Sequence, residues 1–529
     1  MVEGGPQMMP FLERLVLSVQ VPLGRGHSAP RPPEMDIEAC RSFARATADA
    51  CEQGSSVDES TWRDLDLDAV FASLDRTVTR PGRLTLYRWL RRPSAPAVLA
   101  ERLRAVRGFE ADPTAAEALG RELAALSDWR DGREVVDLLW DELPEQEAVW
   151  PYQLLGFALP ASIAAAFWLG GFGVVCLIAA VLNTFMHYRF RIDHDSDVTA
   201  LRQLGPLLTV AARVGRLNLV GSEERTKELT ERTTASEDMP RLVAQLPTGG
   251  LQDLLIEYVR IVFLSEPRRV LSLLERVREQ REGLRIIFDR LGELDVLRSL
   301  AQWRSELPLR CDPELSGPTR IVELQDAVHP LVNEPVANSI RIDGRGVVIT
   351  GSNMSGKSTF LRTLGVNVLL AQTVCTCTAR RANLFPVRVL SSMRLIDDLV
   401  SGTSLYMAEA KRLLSLVQAV DGERETLCLC DELLAGTDAR DRSVASAAIS
   451  SYLERHGGLV VVATHDREMA QEFLADWDCY YFSEEIDRSG LVFDFRLRPG
   501  LAHSRNAIRI LEHLGYPPEI LAEVRARRQ

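Results

Sequence analysis

The sequence predicts a helical region, interrupted by an apolar helical hairpin and followed by an α/β domain with a helical tail. Three observations carry this reading. Leu, Ala, Arg and Glu recur at three- and four-residue spacing from about Glu38 to Leu143 without a strand signal. No charged residue lies between Glu147 and Arg189. Beyond Pro308 the pattern changes to alternating strand and helix. The 529 residues leave room for about three or four domains. The expected boundaries are an N-terminal extension over 1–37, a helical region over 38–148, the hairpin over 149–191, a helical return over 192–310 and the α/β domain over 311–529.

In chain order, the first stretch is Pro- and Gly-rich from Val21 to Pro33 and lacks the basic start and apolar core of a secretory signal, so it reads as a mobile extension, with Met35 an alternative start. The hairpin is divided at Gly170 and Gly171 into halves of roughly eighteen residues, near the lower limit for crossing a bilayer core of about 30 Å. Trp150, Tyr152 and Tyr188 stand at its outer ends, where aromatic side chains suit an interface, and Arg189 and Arg191 follow on the expected cytoplasmic side. The other reading is a hydrophobic hairpin buried inside a helical bundle; Pro160, Asn183 and the short halves leave room for a buried or a re-entrant segment. Helical periodicity resumes from about Val198 to Trp303, and the charged run Glu275 to Arg285 reads as a solvated helix face.

The net charge of -12 argues against a basic coat for nonspecific nucleic-acid binding. Nine cysteines are scattered along the chain. Cys375 with Cys377, and Cys428 with Cys430, would share one face if each pair lay in a strand; neither has zinc-site spacing, so they read as reduced, buried thiols.

The α/β domain carries the chemistry. "GVVIT" is a buried-strand run, and "GSNMSGKS" follows with Gly351, four residues, Gly356, Lys357 and Ser358. Glycines there let backbone N–H groups and a helix N-terminus converge on phosphates. Lys357 supplies a cation for the β and γ phosphates, and Ser358 a hydroxyl for Mg²⁺. Lysine occurs only at Lys227, Lys357 and Lys411, against arginine nearly everywhere else. Downstream, "TLCLCDE" ends a strand in Asp431, placed to hold Mg²⁺, and Glu432, placed to orient or deprotonate an attacking water. "GLVVVATHD" ends another at Thr464 and His465, where an imidazole could sense the γ phosphate.

In this order and spacing the segments resemble the MutS family of ATPases. The resemblance spans "HPLVNEPVAN" from His329 to Asn338, the loop "GSNMSGKST", "DDLVSGTSLYMAE", the Asp431, Glu432, Gly436 and Thr437 segment, Ala463 to His465, and the closing "GLAHSRNAIRILEHLGYPPEILAEVRAR", similar to the family's helical dimerisation tail. Earlier, "LDRTVTRPGRLTLYRWLRRP" and "LGELDVLRSLA" resemble the start and return of its core-and-lever region. The resemblance implies a nucleotide loop of Gly351, Ser352, Asn353, Met354, Ser355, Gly356, Lys357, Ser358 and Thr359, with ATP and Mg²⁺ as ligands. It also implies a dimer in which Ser404 reaches the γ phosphate held by the other subunit; as a residue, Ser404 also reads as a helix N-cap.

The chain departs from the family in several places. Val336 stands where an adenine-stacking aromatic is expected, and Leu434 and Ala435 replace Gly-Arg after the carboxylate pair. Phe11, Leu12 and Glu13 spell the F-x-E of a mismatch wedge with ten residues before them, too few for the domain that holds it. The apolar hairpin stands where the family's DNA clamp would interrupt the lever. The expectation is therefore a membrane-anchored dimeric ATPase at the cell membrane, its ATPase domain cytoplasmic, with DNA binding weak and indifferent to mismatches. The alternative is an ATP-driven switch that regulates or assembles a membrane complex without DNA. Transport is disfavoured because one short hairpin offers little pathway.

Overall fold

The computed structural model describes residues 34–47, 56–127, 133–141, 147–169, 173–246, 254–315, 320–352, 354–393, 405–420, 422, 424–434, 438–473, 476–487, 490–501 and 516–526. These form two compact units, one from 34–56 and 74–306 and the other from 57–73 and 307–529. The first is helical and the second α/β.

In chain order the early helices are α1 (Glu34–Ala46), α2 (Glu59–Asp64), α3 (Leu67–Leu74), α4 (Arg80–Arg91), α5 (Pro96–Ala111), α6 (Pro113–Leu123) and α7 (Arg133–Trp140). The apolar stretch forms α8 (Trp150–Leu169) and α9 (Gly173–Asp193). The return is α10 (Asp195–Val214), α11 (Glu223–Ala235), α12 (Met239–Val243), α13 (Leu254–Phe263) and α14 (Ser265–Glu306).

The 42 residues of α14 extend about 63 Å and form the spine of the helical unit. Leu284, Ile287, Phe288, Leu291, Leu294 and Leu297 repeat at three- and four-residue spacing and are buried. On the same helix Asp295, fully buried, accepts hydrogen bonds from Val78 N (3.0 Å), Thr79 N (2.8 Å) and Thr79 Oγ1 (2.8 Å). Thr79 in turn caps α4 by accepting from Gly82 N. Gly82 has no room for a side chain, since a Cβ would lie 2.3 Å from Asp295 Oδ2. The segments "LDRTVTRPGR" and "LGELDVLRSLA" are thus joined by one carboxylate. The charged run of α14 is only partly solvated: Val277 and Leu284 are buried, and Arg281 and Arg285 both donate to Leu139 O.

The two hairpin helices have 20 and 21 residues, about 30 Å each. Many of their apolar side chains point outward, while Tyr152, Leu159 and Phe190 are buried: Phe167 is 88% and Trp168 84% exposed, and Leu154, Phe157, Val174, Leu177, Ile178, Val181 and Phe185 are exposed too. A hairpin buried in a bundle core would have these covered. The opposite face of α9 is polar and buried. Asn183 donates to Val262 O at 2.9 Å, His187 Nε2 lies 3.1 Å from Glu257 Oε1, and Arg191 bridges Glu257 (3.0 Å) and Glu266 (3.3 Å). This seam fastens α9 where Leu264, at φ 44°, breaks α13 from α14.

The second unit holds β1 (Glu314–Leu315), β2 (Val322–Ala327), β3 (Asn338–Ile342), β4 (Val347–Thr350), α15 (Lys357–Val374), β5 (Arg381–Leu384), β6 (Arg388–Ser392), α16 (Leu405–Ala419) and β7 (Thr426–Asp431). It continues through α17 (Ala439–Arg455), β8 (Gly458–Thr464), α18 (Arg467–Glu472), β9 (Asp478–Asp487), β10 (Gly490–Pro499) and α19 (Pro518–Ala526). A four-stranded sheet has the order β1-β5-β2-β3, and a six-stranded sheet the order β10-β9-β4-β8-β7-β6. In the larger sheet only the β9–β10 pair is antiparallel. Every residue of β4, β7 and β8 is buried, which explains their unbroken apolar runs.

Cys428 and Cys430 lie in β7 and are buried. Cys375 and Cys377 do not share a strand: Cys375 caps α15 with φ 54°, and Cys377, a free thiol, exchanges two backbone hydrogen bonds of 3.0 Å with Cys311. Cys176, Cys311 and Cys479 are half-buried rather than enclosed.

Candidate nucleotide site

Parallel sheets place ligands outside the carboxyl ends of their strands. Here β4 pairs with β8 so that Thr350 faces Thr464, and β7 pairs with β8 so that Asp431 faces Ala463. Three strand ends therefore reach one level, and the residues that follow them meet.

Between β4 and α15 the chain makes a tight loop. A Cβ on Gly351 would lie 2.6 Å from Ser355 Oγ, and Gly356 caps α15 at φ 106°, a conformation open to glycine. Among the described residues no side chain caps α15, and the first N–H groups of such a helix suit an anionic ligand. Lys357 is buried, and its Nζ donates to Gly351 O and Ser352 O, each at 2.9 Å. Burial pushes its pKa down, opposed by the charges of Glu432, Asp431 and Glu484. Met354 is exposed at φ 74° and Thr359 is exposed; Ser355 Oγ is buried without a partner among the described residues. Asn353 lies outside the described residues.

Ser358 Oγ donates to Asp431 Oδ2 at 2.5 Å, while Asp431 Oδ1 is buried without a partner among the described residues. Burial pushes the Asp431 carboxyl pKa up, the Ser358 hydrogen bond acts against that, and the neighbouring Glu432 adds to the rise. A hydroxyl beside a carboxylate with an orphaned, hard oxygen is a donor set that fits Mg²⁺. Glu432 N donates to Ala463 O at 2.9 Å, and the Glu432 carboxylate lies 3.0 Å from His465 Nδ1, with His465 itself exposed. Glu432 and Leu434 both have positive φ, 50° and 55°. Such a conformation costs a non-glycine residue about 1–3 kcal/mol and persists where the surroundings enforce it. Ser404, Gly436 and Thr437 lie outside the described residues.

The motif reading missed the β9–β10 hairpin. β9 runs past the end of β4, so that Glu484 accepts a hydrogen bond from Ser352 Oγ and Phe482 packs beside Gly351. In β10 the register shifts between Phe493 and Leu497. That bulge holds Phe495 at φ 53°, 43% exposed, with a ring carbon 3.2 Å from the position a Gly356 Cβ would take. Asn338 secures it, donating to Phe495 O at 2.9 Å and accepting from Leu497 N at 2.7 Å. Val336 is exposed and aliphatic; among the described residues Phe495 is an exposed aromatic beside the loop. At the other end of that segment His329 is buried and accepts from Leu331 N; burial, with Arg362 adding to it, pushes its pKa down to about 4.

A family model described as MutS domain V matches residues 347–529. The DNA mismatch repair protein MutS of Thermus aquaticus is 26% identical over 515 residues, covering 87% of this chain and 60% of its own length. That of Anaeromyxobacter sp. (strain Fw109-5) is 28% identical over 551 residues, covering 89% and 61%. That of Halothermothrix orenii is 31% identical over 244 residues, covering 44% and 27%. The chain therefore spans at most about three-fifths of the length of these relatives.

Proposed function

The chain belongs to the MutS family, and from that premise we propose that it is an ATP hydrolase, dimeric and anchored in the cell membrane, whose nucleotide unit faces the cytoplasm. The observation that carries the hydrolase reading is the contact of Ser358 with Asp431 at 2.5 Å, one oxygen of that carboxylate being without a partner among the described residues. Ser358 and Asp431 would hold Mg²⁺, which when bound offsets the charge of the transferring phosphoryl group. Lys357 turns from the loop carbonyls to the β and γ phosphates, and the α15 amides supply further donors. Glu432, one strand end away, orients or deprotonates the attacking water, with His465 holding the carboxylate by their 3.0 Å contact. Phe495 offers an aromatic face to the base, the role Val336 cannot fill. Ser404 acts across the dimer.

The membrane reading draws on the exposed apolar hairpin, of which α9 alone is long and apolar enough to cross a bilayer while little of it is buried. ATP binding and hydrolysis drive the helical unit as a switch. DNA is a partner by family, bound weakly and without mismatch selectivity; the outward-facing hairpin favours, as a second reading, a switch acting on a membrane complex. ATP titration of the purified chain tests the central reading. Wild type binds, and Lys357→Ala loses binding because the main phosphate-facing cation is gone. Equal affinity in both would refute it.

A further inference from the structure

Residues 57–73 precede most of the helical unit in sequence, yet they are built into the nucleotide unit. The joint is Asp64, the last residue of α2, which is buried. Its Oδ2 accepts from Ser391 Oγ at 2.6 Å, from Met393 N at 3.1 Å and from the Arg412 guanidinium. Its backbone carbonyl accepts from Arg362 Nε at 2.8 Å. Thr61 Oγ1, one turn earlier, accepts from Ser391 N at 3.0 Å, and Arg412 also donates to Met393 O at 3.3 Å. Leu65 packs against Gly365, where a Cβ would come within 2.9 Å of Leu65 Cδ2.

These contacts fall on three elements of the site. Arg362 and Gly365 belong to α15, the helix that follows the phosphate loop. Ser391 and Met393 end the β6 arm, and Arg412 lies in α16, so the two stems flanking residues 394–404 meet at one carboxylate oxygen. A buried ion pair is a poor source of net stability, because desolvation offsets most of its attraction. What it does supply, with three donors on one oxygen, is register.

We propose that Asp64 is a positioning residue of the nucleotide site: it fixes α15 against the end of β6, the strand paired with β7, and so sets Ser358 in register with Asp431 and Glu432 for hydrolysis. This rests on the ATP hydrolase reading above. A misplacement of about 1 Å remote from the chemistry can cost on the order of a hundredfold in rate, so the effect belongs in kcat and not in nucleotide affinity.

The test uses the full chain in detergent, with Asp64→Asn, Arg412→Gln and the double variant. Asn keeps an acceptor for Ser391 and Met393 but loses the charge that Arg412 pairs with. The expected result is an ATP Kd within about twofold of wild type and a kcat lowered about tenfold or more, with the double variant no worse than the worse single one. A wild-type kcat in Asp64→Asn overturns the proposal. So does a parallel fall of kcat, affinity and Tm, which marks a purely structural contact. Wild type lacking any Lys357-dependent hydrolysis would instead sink the hydrolase reading, and this proposal with it.

Discussion

Phe495 illustrates what a motif hides. Its place beside Gly356 comes from a register shift in β10 and from Asn338 holding the bulge, neither of which leaves a pattern in the sequence. By contrast Gly351, Gly356, Lys357 and Ser358 were legible because a phosphate loop requires those types within one contiguous turn. The pairing of Glu432 with His465 was legible only as two strand ends; that they touch depends on the order of β7 and β8 in the sheet. If Phe495 stacks on the base, Phe495→Ala loses about 1–2 kcal/mol of nucleotide affinity, roughly five- to thirtyfold, equally for ATP and ADP. Fluorescence titration with both nucleotides checks this. Unchanged affinity would return base recognition to another residue.

Among elements, the hairpin was the most legible and α2 the least. A long charge-free stretch split by two glycines announces two helices. The outward turn of Val174, Leu177, Ile178, Val181 and Phe185 goes instead with the polar seam of Asn183, His187 and Arg191 on the opposite face of α9. For α2, helical periodicity looks the same whether a segment joins one unit or the other; the contacts of Thr61 and Asp64 with α15, the end of β6 and α16 decide it. Replacing Tyr152 to Tyr188 by a short Gly/Ser linker is expected to release the chain from membranes while ATP binding persists, as read by fractionation and titration. A full-length chain already soluble without detergent would remove the membrane reading. His187→Ala takes one partner from Glu257 and Glu266 while Arg191 remains, and is expected to cost about 1–3 kcal/mol of stability, seen as a lower Tm of the full chain in detergent. An unchanged Tm would show that the remaining contacts, those of Arg191, Arg260 and Asn183, sustain the seam.

For the whole molecule, the net charge of -12 and the outward apolar hairpin weigh against tight DNA binding. Reading a mispair requires unstacking a base step, which costs a few kcal/mol that dedicated contacts must offset. The 529-residue chain is expected to bind mismatched and perfect duplexes within about threefold of each other, under roughly 1 kcal/mol, in paired titrations at one salt concentration. A preference above about tenfold would reveal a mismatch reader. Underneath both partner readings lies a single claim, that the ends of β4, β7 and β8 form a hydrolytic site with Glu432 as its base. The direct measurement is steady-state Mg²⁺-dependent ATP turnover by wild type and Glu432→Gln, with ATP affinity measured in parallel. The account predicts turnover in wild type, and in the variant retained affinity with a rate lower by about a hundredfold or more. No turnover in wild type, or a variant turning over at the wild-type rate, would contradict it.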